Sequence, residues 1–130
     1  MDKPKILIVE DERDTIETIQ SCLERAMGCQ VYASESGEDA ISKINQHDFD
    51  LVILDLKMPG LSGLDVMKQV KKEKALPDVL VITGWDSAQI ATQVIQEGAI
   101  DYIPKPIVVD TLKLKVKDIL TKKGKYTENT

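Results

Sequence analysis

The sequence predicts an α/β fold, a five-stranded doubly wound parallel sheet assembled from five successive βα units. Two observations carry this. Five short apolar runs recur along the 130 residues, and each is followed by a stretch with helical hydrophobic spacing. Three of the runs (Ile6 to Val9, Leu51 to Leu54, Val79 to Ile82) are unbroken and rich in β-branched residues, the composition of strands covered on both faces. Parallel strands joined through helices require right-handed crossovers, which place helices on both sides of the sheet. The length suits one domain.

The elements follow in order. Ile6-Leu7-Ile8-Val9 is the first strand, and Ile16, Ile19, Leu23 and Met27 share one face of the first helix, with Gly28 as its stop. Val31-Tyr32-Ala33 is the second strand. Ser36 stands three residues before Asp39, resembling a capping box, and opens a helix striped by Ala40, Ile41 and Ile44. The third strand, Leu51 to Leu54, precedes a second start signal, Ser62 with Asp65, ahead of Leu64, Met67 and Val70. After Val79 to Ile82, Asp86 is placed to cap a helix that turns Ile90, Ala91, Val94 and Ile95 inward and closes at Gly98. Tyr102-Ile103 is the last strand. Asp110 is placed to open the last helix, with Leu112, Val116, Ile119 and Leu120 inward and Lys122, Lys123 and Lys125 at the end, where cations suit the helix dipole. The domain is expected to span residues 1–123, followed by a polar, frayed tail or linker start at 124–130.

Composition excludes several classes of function. Seventeen basic against twenty-two acidic residues leave a net charge of −5 and a pI near 4.9, which argues against direct binding of nucleic acid. Ile, Val and Leu number 37 against five aromatic residues, so the core is aliphatic and base stacking is disfavoured. No apolar run approaches the roughly 18–20 residues of a membrane span, and Met1 to Lys5 leads into only four apolar residues, too few for a secretory leader. A cytoplasmic protein without a membrane partner is expected. Cys22 and Cys29 then read as reduced thiols in or near the core rather than a disulfide. The only histidine, His47, sits in the polar stretch Asn45 to Asp48 and reads as a solvated loop residue, so histidine-based catalysis and a soft-metal site are excluded.

In an open doubly wound sheet, function gathers at the carboxyl ends of the strands. Glu10, Asp11 and Glu12 follow the first strand, Asp55 ends the third, Thr83 ends the fourth and Lys105 follows the fifth. If the strands run in the order 2-1-3-4-5, the first and third are neighbours and Glu10, Asp11 and Asp55 converge. Clustered carboxylates repel one another unless protonated or neutralised. Mg²⁺ is the fitting neutraliser, because it takes one to three carboxylates and keeps waters that a phosphate oxygen can displace. A carboxylate beside Mg²⁺ and a lysine can attack a phosphoryl group and hold it as an acyl phosphate. Asp55, on the central strand, is the candidate nucleophile, Glu10 and Asp11 are candidate metal ligands, and the Thr83 hydroxyl can bond a phosphate oxygen.

Glu10-Asp11, Asp55 with Met58-Pro59-Gly60, Thr83-Gly84, and Gly98 to Tyr102 leading to Lys105-Pro106 resemble the response regulator receiver domains of two-component and phosphorelay signalling, the chemotaxis regulator among them. The resemblance covers about residues 4–122. It implies the flavodoxin-like receiver fold with strand order 2-1-3-4-5, and Asp55 as acceptor of phosphate from a sensor histidine kinase or histidine phosphotransfer protein. It further implies Mg²⁺ on Glu10, Asp11, Asp55 and the backbone carbonyl of Lys57, with Thr83 and Lys105 on the phosphoryl oxygens and a cis Lys105-Pro106 bond. Thr83 and Tyr102 match the switch pair, which would bias the surface of the fourth helix, fifth strand and fifth helix toward a downstream protein or tethered output domain. The resemblance leaves room for a phosphorylation-dependent homodimer. Such a module is a signalling phosphoacceptor, limited to self-phosphorylation from donors and slow autodephosphorylation, and not a turnover enzyme.

Lys57 and Trp85, two residues beyond Asp55 and Thr83, match positions that vary in the family and tune phosphate lifetime; both are expected to screen the attacking water. Trp85 equally fits a partly exposed interface anchor. Gly84 replaces a more usual alanine, and Ile107 stands where phenylalanine is common. Ile16, Gln20 and Ile107 are candidate kinase contacts. Lysines crowd the third and fifth helices (Lys68, Lys71, Lys72, Lys74, and Lys113, Lys115, Lys117, Lys122, Lys123), as a solvated face or an acidic-partner patch. Two other classes remain for comparison. A haloacid-dehalogenase-type phosphohydrolase looks for a second Asp where Lys57 stands. A flavodoxin-like cofactor binder needs a phosphate loop where this chain has Glu10 to Asp14.

Overall fold

The computed structural model describes residues 3–84 and 88–126. The chain alternates β1 (Lys5–Val9), α1 (Arg13–Met27), β2 (Gln30–Ser34), α2 (Gly37–Gln46), β3 (Leu51–Asp55), α3 (Gly63–Glu73), β4 (Val79–Thr83), α4 (Ala88–Glu97), β5 (Asp101–Pro104) and α5 (Val109–Lys122). The strands form one parallel sheet in the order β2-β1-β3-β4-β5. That puts the carboxyl ends of β1 and β3 side by side, with Val9 opposite Leu54.

Strand parity divides the core. Ile6, Ile8, Ile53, Leu80, Ile82 and Ile103 pack with α1 and α5, while Leu7, Val9, Val52, Leu54, Val79 and Val81 pack with α2, α3 and α4. The central strands β3 and β4 are buried throughout, as their continuous apolar composition requires. The stripe of α1 is the one its spacing predicts, Ile16, Ile19, Leu23 and Met27, and Gly28 closes it in the left-handed conformation at φ 64°. Leu112, Val116, Ile119 and Leu120 likewise face inward from α5. Ser62 and Asp65 form a complete capping box. Ser36 accepts from the Asp39 N–H, but the Asp39 carboxylate pairs with Lys43 one turn on, so only half of that box forms.

Other expectations need correction. Asp110 does not cap α5. Val108 holds that position without a side-chain bond, and Asp110 lies in the first turn, where the dipole favours it. On α4 only Val94 is buried and Ile95 is 48% exposed, because the helix touches the sheet along a narrower stripe than its spacing suggests. The Asp86 cap falls outside the described residues. His47 is half-buried, its ring 5.2 Å from Tyr32 and 5.8 Å from Phe49, so it closes an aromatic cluster beside the edge strand rather than lying in solvent. The tail is pinned as far as Tyr126: the Lys125 N–H donates to Leu120, the Lys123 Nζ donates to the Asp50 carbonyl, and Tyr126 packs against the α1–α5 core. Both thiols are free, Cys29 buried and Cys22 partly so. The Lys105-Pro106 bond is cis.

Many of the crowded lysines spend their charge internally, Lys71 on Glu97, Lys74 on Asp48, Lys115 on Asp101, Lys122 on Asp118 and Lys123 on Asp78. That favours a solvated, internally paired face over a docking patch. No helix among the described residues is long and apolar enough to cross a membrane.

Candidate phosphoacceptor and metal site

Three strand ends build the site. β1 delivers Glu10, fully buried, and Asp11, exposed; β3 delivers Asp55, 2% exposed; the turn after β5 delivers Lys105. Backbone bonds fix each of them. The Glu10 N–H donates to Ser34, the Leu56 N–H to Ile82 and the Lys105 N–H to Thr83, at 2.8–3.2 Å. The loop after β3 folds back tightly, and the Gly63 N–H donates to the Leu56 carbonyl. A Cβ at Gly63 would lie 2.5 Å from the Asp55 carbonyl oxygen and 2.9 Å from the Leu56 Cα, so only glycine lets α3 start so close to the end of β3.

Lys105 is the hub. Its Nζ lies 2.9 Å from Glu10 Oε2, 3.1 Å from Asp55 Oδ2 and 3.4 Å from Glu12 Oε1. The other oxygens take backbone donors: Glu12 N–H to Glu10 Oε1 at 3.1 Å, and Lys57 N–H to Asp55 Oδ1 at 3.2 Å. Burial, with Asp55 adding repulsion, lifts the Glu10 carboxyl from 4.5 to about 7 against the opposing pull of Lys105. Burial works against the Lys105 ammonium, but hydrogen bonds and charge from Glu10 and Asp55 outweigh it and hold its pKa well above the ordinary lysine value.

The donor set fits a hard cation. One oxygen from each of Glu10, Asp11 and Asp55 lies within 4.8 Å of the others. Glu10 Oε2, although ion-paired with Lys105, has no well-directed hydrogen bond and is a buried carboxylate oxygen short of a partner among the described residues. Three carboxylates against one ammonium leave two negative charges, the charge that Mg²⁺ neutralises, and exposed Asp11 leaves room for its waters.

The structure thus brings Glu10, Asp11, Asp55 and Lys105 together. Thr83 is buried at the end of β4, one residue beyond the Asp55–Ile82 register pair, and it shares parity with Val81 on the α4 face. Tyr102 is half-buried and packs on that same face, so the expected switch pair lies on the side of α4. Lys57 is exposed, its N–H committed to Asp55. Trp85 lies outside the described residues. Ile16, expected as a kinase contact, is 6% exposed and belongs to the core; Gln20 and Ile107 are partly exposed. Sequence reading missed the reach of Glu12 to Lys105 and the need for glycine at 63. The first had no signal beyond a third acid, and the second showed only as an unassigned glycine after a cap residue.

A family model described as the response regulator receiver domain matches residues 6–117. The chain is 33% identical over 129 residues to an uncharacterised transcriptional regulatory protein, YkoG, of Bacillus subtilis, covering 99% of this chain and 56% of that one. It is 34% identical over 116 residues to the alkaline phosphatase synthesis regulator PhoP of the same organism, covering 89% of this chain and 48% of that one. It therefore spans about half the length of these curated relatives. Among solved structures it is similar to the signal receiver domain of a LuxO repressor protein from Vibrio parahaemolyticus (TM-score 0.88, 32% identity, 95% of this chain and 94% of that one). It is also similar to the response regulator TrrA of Thermotoga maritima, solved with Mg²⁺ and BeF (TM-score 0.79, 33% identity, 90% of this chain and 99% of that one).

Proposed function

The chain belongs to the response regulator receiver domain family of two-component signalling, and from that premise we propose that Asp55 accepts a phosphoryl group from a sensor histidine kinase or histidine phosphotransfer protein. The observation that carries this reading is the pair of buried carboxylates, Glu10 and Asp55, sharing the Lys105 ammonium at adjoining strand ends. In the transfer, an Asp55 carboxylate oxygen forms a bond to phosphorus as the donor N–P or O–P bond breaks. The leaving group departs with that electron pair and, for imidazole, takes a proton from water. Lys105 pairs with Asp55 at rest and moves its charge to the phosphoryl oxygens as they arrive. Glu10, Asp11, Asp55 and the Lys57 carbonyl would hold Mg²⁺, which supplies positive charge beside those oxygens.

Thr83 then donates its hydroxyl to the phosphoryl group and Tyr102 follows it inward, biasing the α4–β5–α5 surface. The listener is a downstream protein or a tethered output domain; the naming of relatives as transcriptional regulators, and their greater length, support the second. The module is a phosphoacceptor in the cytoplasm, with self-phosphorylation and slow autodephosphorylation as its only chemistry. Incubation with a small phosphodonor and Mg²⁺, followed by intact mass, tests this. We expect one added phosphoryl group, none in Asp55→Asn and little without Mg²⁺; equal labelling of Asp55→Asn overturns the assignment.

A further inference from the structure

Resting on the reading of Asp55 as phosphoacceptor, we propose that Glu12 is a specificity-determining residue, a rim carboxylate that competes with the incoming phosphoryl group for Lys105 and disfavours highly anionic donors. Glu12 is the N-cap residue of α1, yet its side chain caps nothing. Its backbone does the local work instead, the N–H donating to Glu10 Oε1 and the carbonyl accepting from Ile16. The carboxylate reaches across the chain to Lys105 Nζ at 3.4 Å while remaining 66% exposed. It lines one wall of a cleft of about 320 Å³ together with Asp14, Thr15, Lys105, Pro106 and Ile107.

Charge explains the consequence. Glu10, Asp11 and Asp55 are balanced by Lys105 and a divalent cation, so Glu12 is one negative charge in excess and stands at the mouth. A free anionic donor meets that charge in full. A donor embedded in a cationic protein surface meets it as a favourable contact, and electrostatic matching of this kind acts chiefly on encounter and choice of partner. When the phosphoryl oxygens take the Lys105 ammonium, Glu12 loses its partner and, being exposed, turns to water at small cost.

The test uses the full chain with saturating Mg²⁺ and two donors, acetyl phosphate, a dianion, and phosphoramidate, largely a monoanion, with initial labelling rates read by intact mass. Glu12→Gln is expected to raise the acetyl phosphate rate about three- to fivefold at low ionic strength and the phosphoramidate rate less. Both differences should fade near 1 M salt, where the Debye length is about 3 Å. Glu17→Gln removes the same charge from an exposed site further along α1 and should match wild type. Since Glu12 makes no side-chain cap, the variant should melt within a few degrees of wild type. Equal rates for wild type and Glu12→Gln with both donors, or an equal gain from Glu17→Gln, overturn the role of Glu12 while leaving Asp55 as acceptor. Failure of every protein to label overturns the acceptor reading and this inference with it.

Discussion

Helices α1 and α4 pack on opposite faces of one sheet and both begin at its carboxyl edge, yet the chain anchors them differently. Four residues of α1 are buried, against a face that also carries α5 and the strand positions in parity with Glu10 and Asp55. From α4 only Val94 is buried, and Ile95 is 48% exposed. Ile90, partly buried, packs on the core near the start of α4, and hydrogen bonds hold its far end: Lys71 Nζ donates to the Glu97 carbonyl at 2.7 Å, the Ala99 N–H to Val94 and the Ile100 N–H to Val79. Glu10 and Asp55 therefore share strand parity with the more deeply buried α1 side, and Thr83 and Tyr102 lie on the α4 side. On the proposed reading, a charge change at Asp55 should reorganise the α4 side first, since weakly packed elements are those that move most readily.

The largest expected effect is on stability. Leu23→Ala should cost about 2–5 kcal/mol in urea unfolding, the range for a fully buried leucine, whereas Ile95→Ala should stay within about 0.5 kcal/mol. Comparable losses would erase the contrast. Gly63→Ala should cost about 1–3 kcal/mol, because a methyl there meets the Asp55 carbonyl and the Leu56 backbone, and it should slow phosphoryl uptake by displacing the acceptor loop. Stability loss with an unchanged labelling rate would show that the loop does not set the geometry of Asp55. Smallest of the expected losses is that of Lys71→Met, the Ile95→Ala control aside. Removal of this half-exposed pin should cost about 0.5–1 kcal/mol and speed amide exchange in α4 while leaving α1 as it was.

Much of this is legible in the amino-acid sequence. Continuous apolar strands, the stripe of α1 and the Ser62–Asp65 cap are local patterns, and each appears where its spacing puts it. The meeting of Glu10, Asp11 and Asp55 was legible only through the strand order, which the family resemblance supplied and hydrophobic patterning does not contain. What stayed hidden depends on distance through space. Ile95 fits the α4 stripe by spacing, but how deep that helix sits is a property of its neighbours. His47 lies in a polar run and is drawn into an aromatic cluster by Tyr32 and Phe49. Glu12 meets a lysine 93 positions away, and nothing local to either residue announces that.

Hydrogen exchange resolved by peptide, on the Mg²⁺-loaded protein with and without phosphorylation of Asp55, tests the unequal anchoring most directly. Exchange across Ala88–Glu97 should change severalfold on phosphorylation, while that across Arg13–Met27 should stay the same. Equal change in both helices, or change confined to α1, would contradict the account.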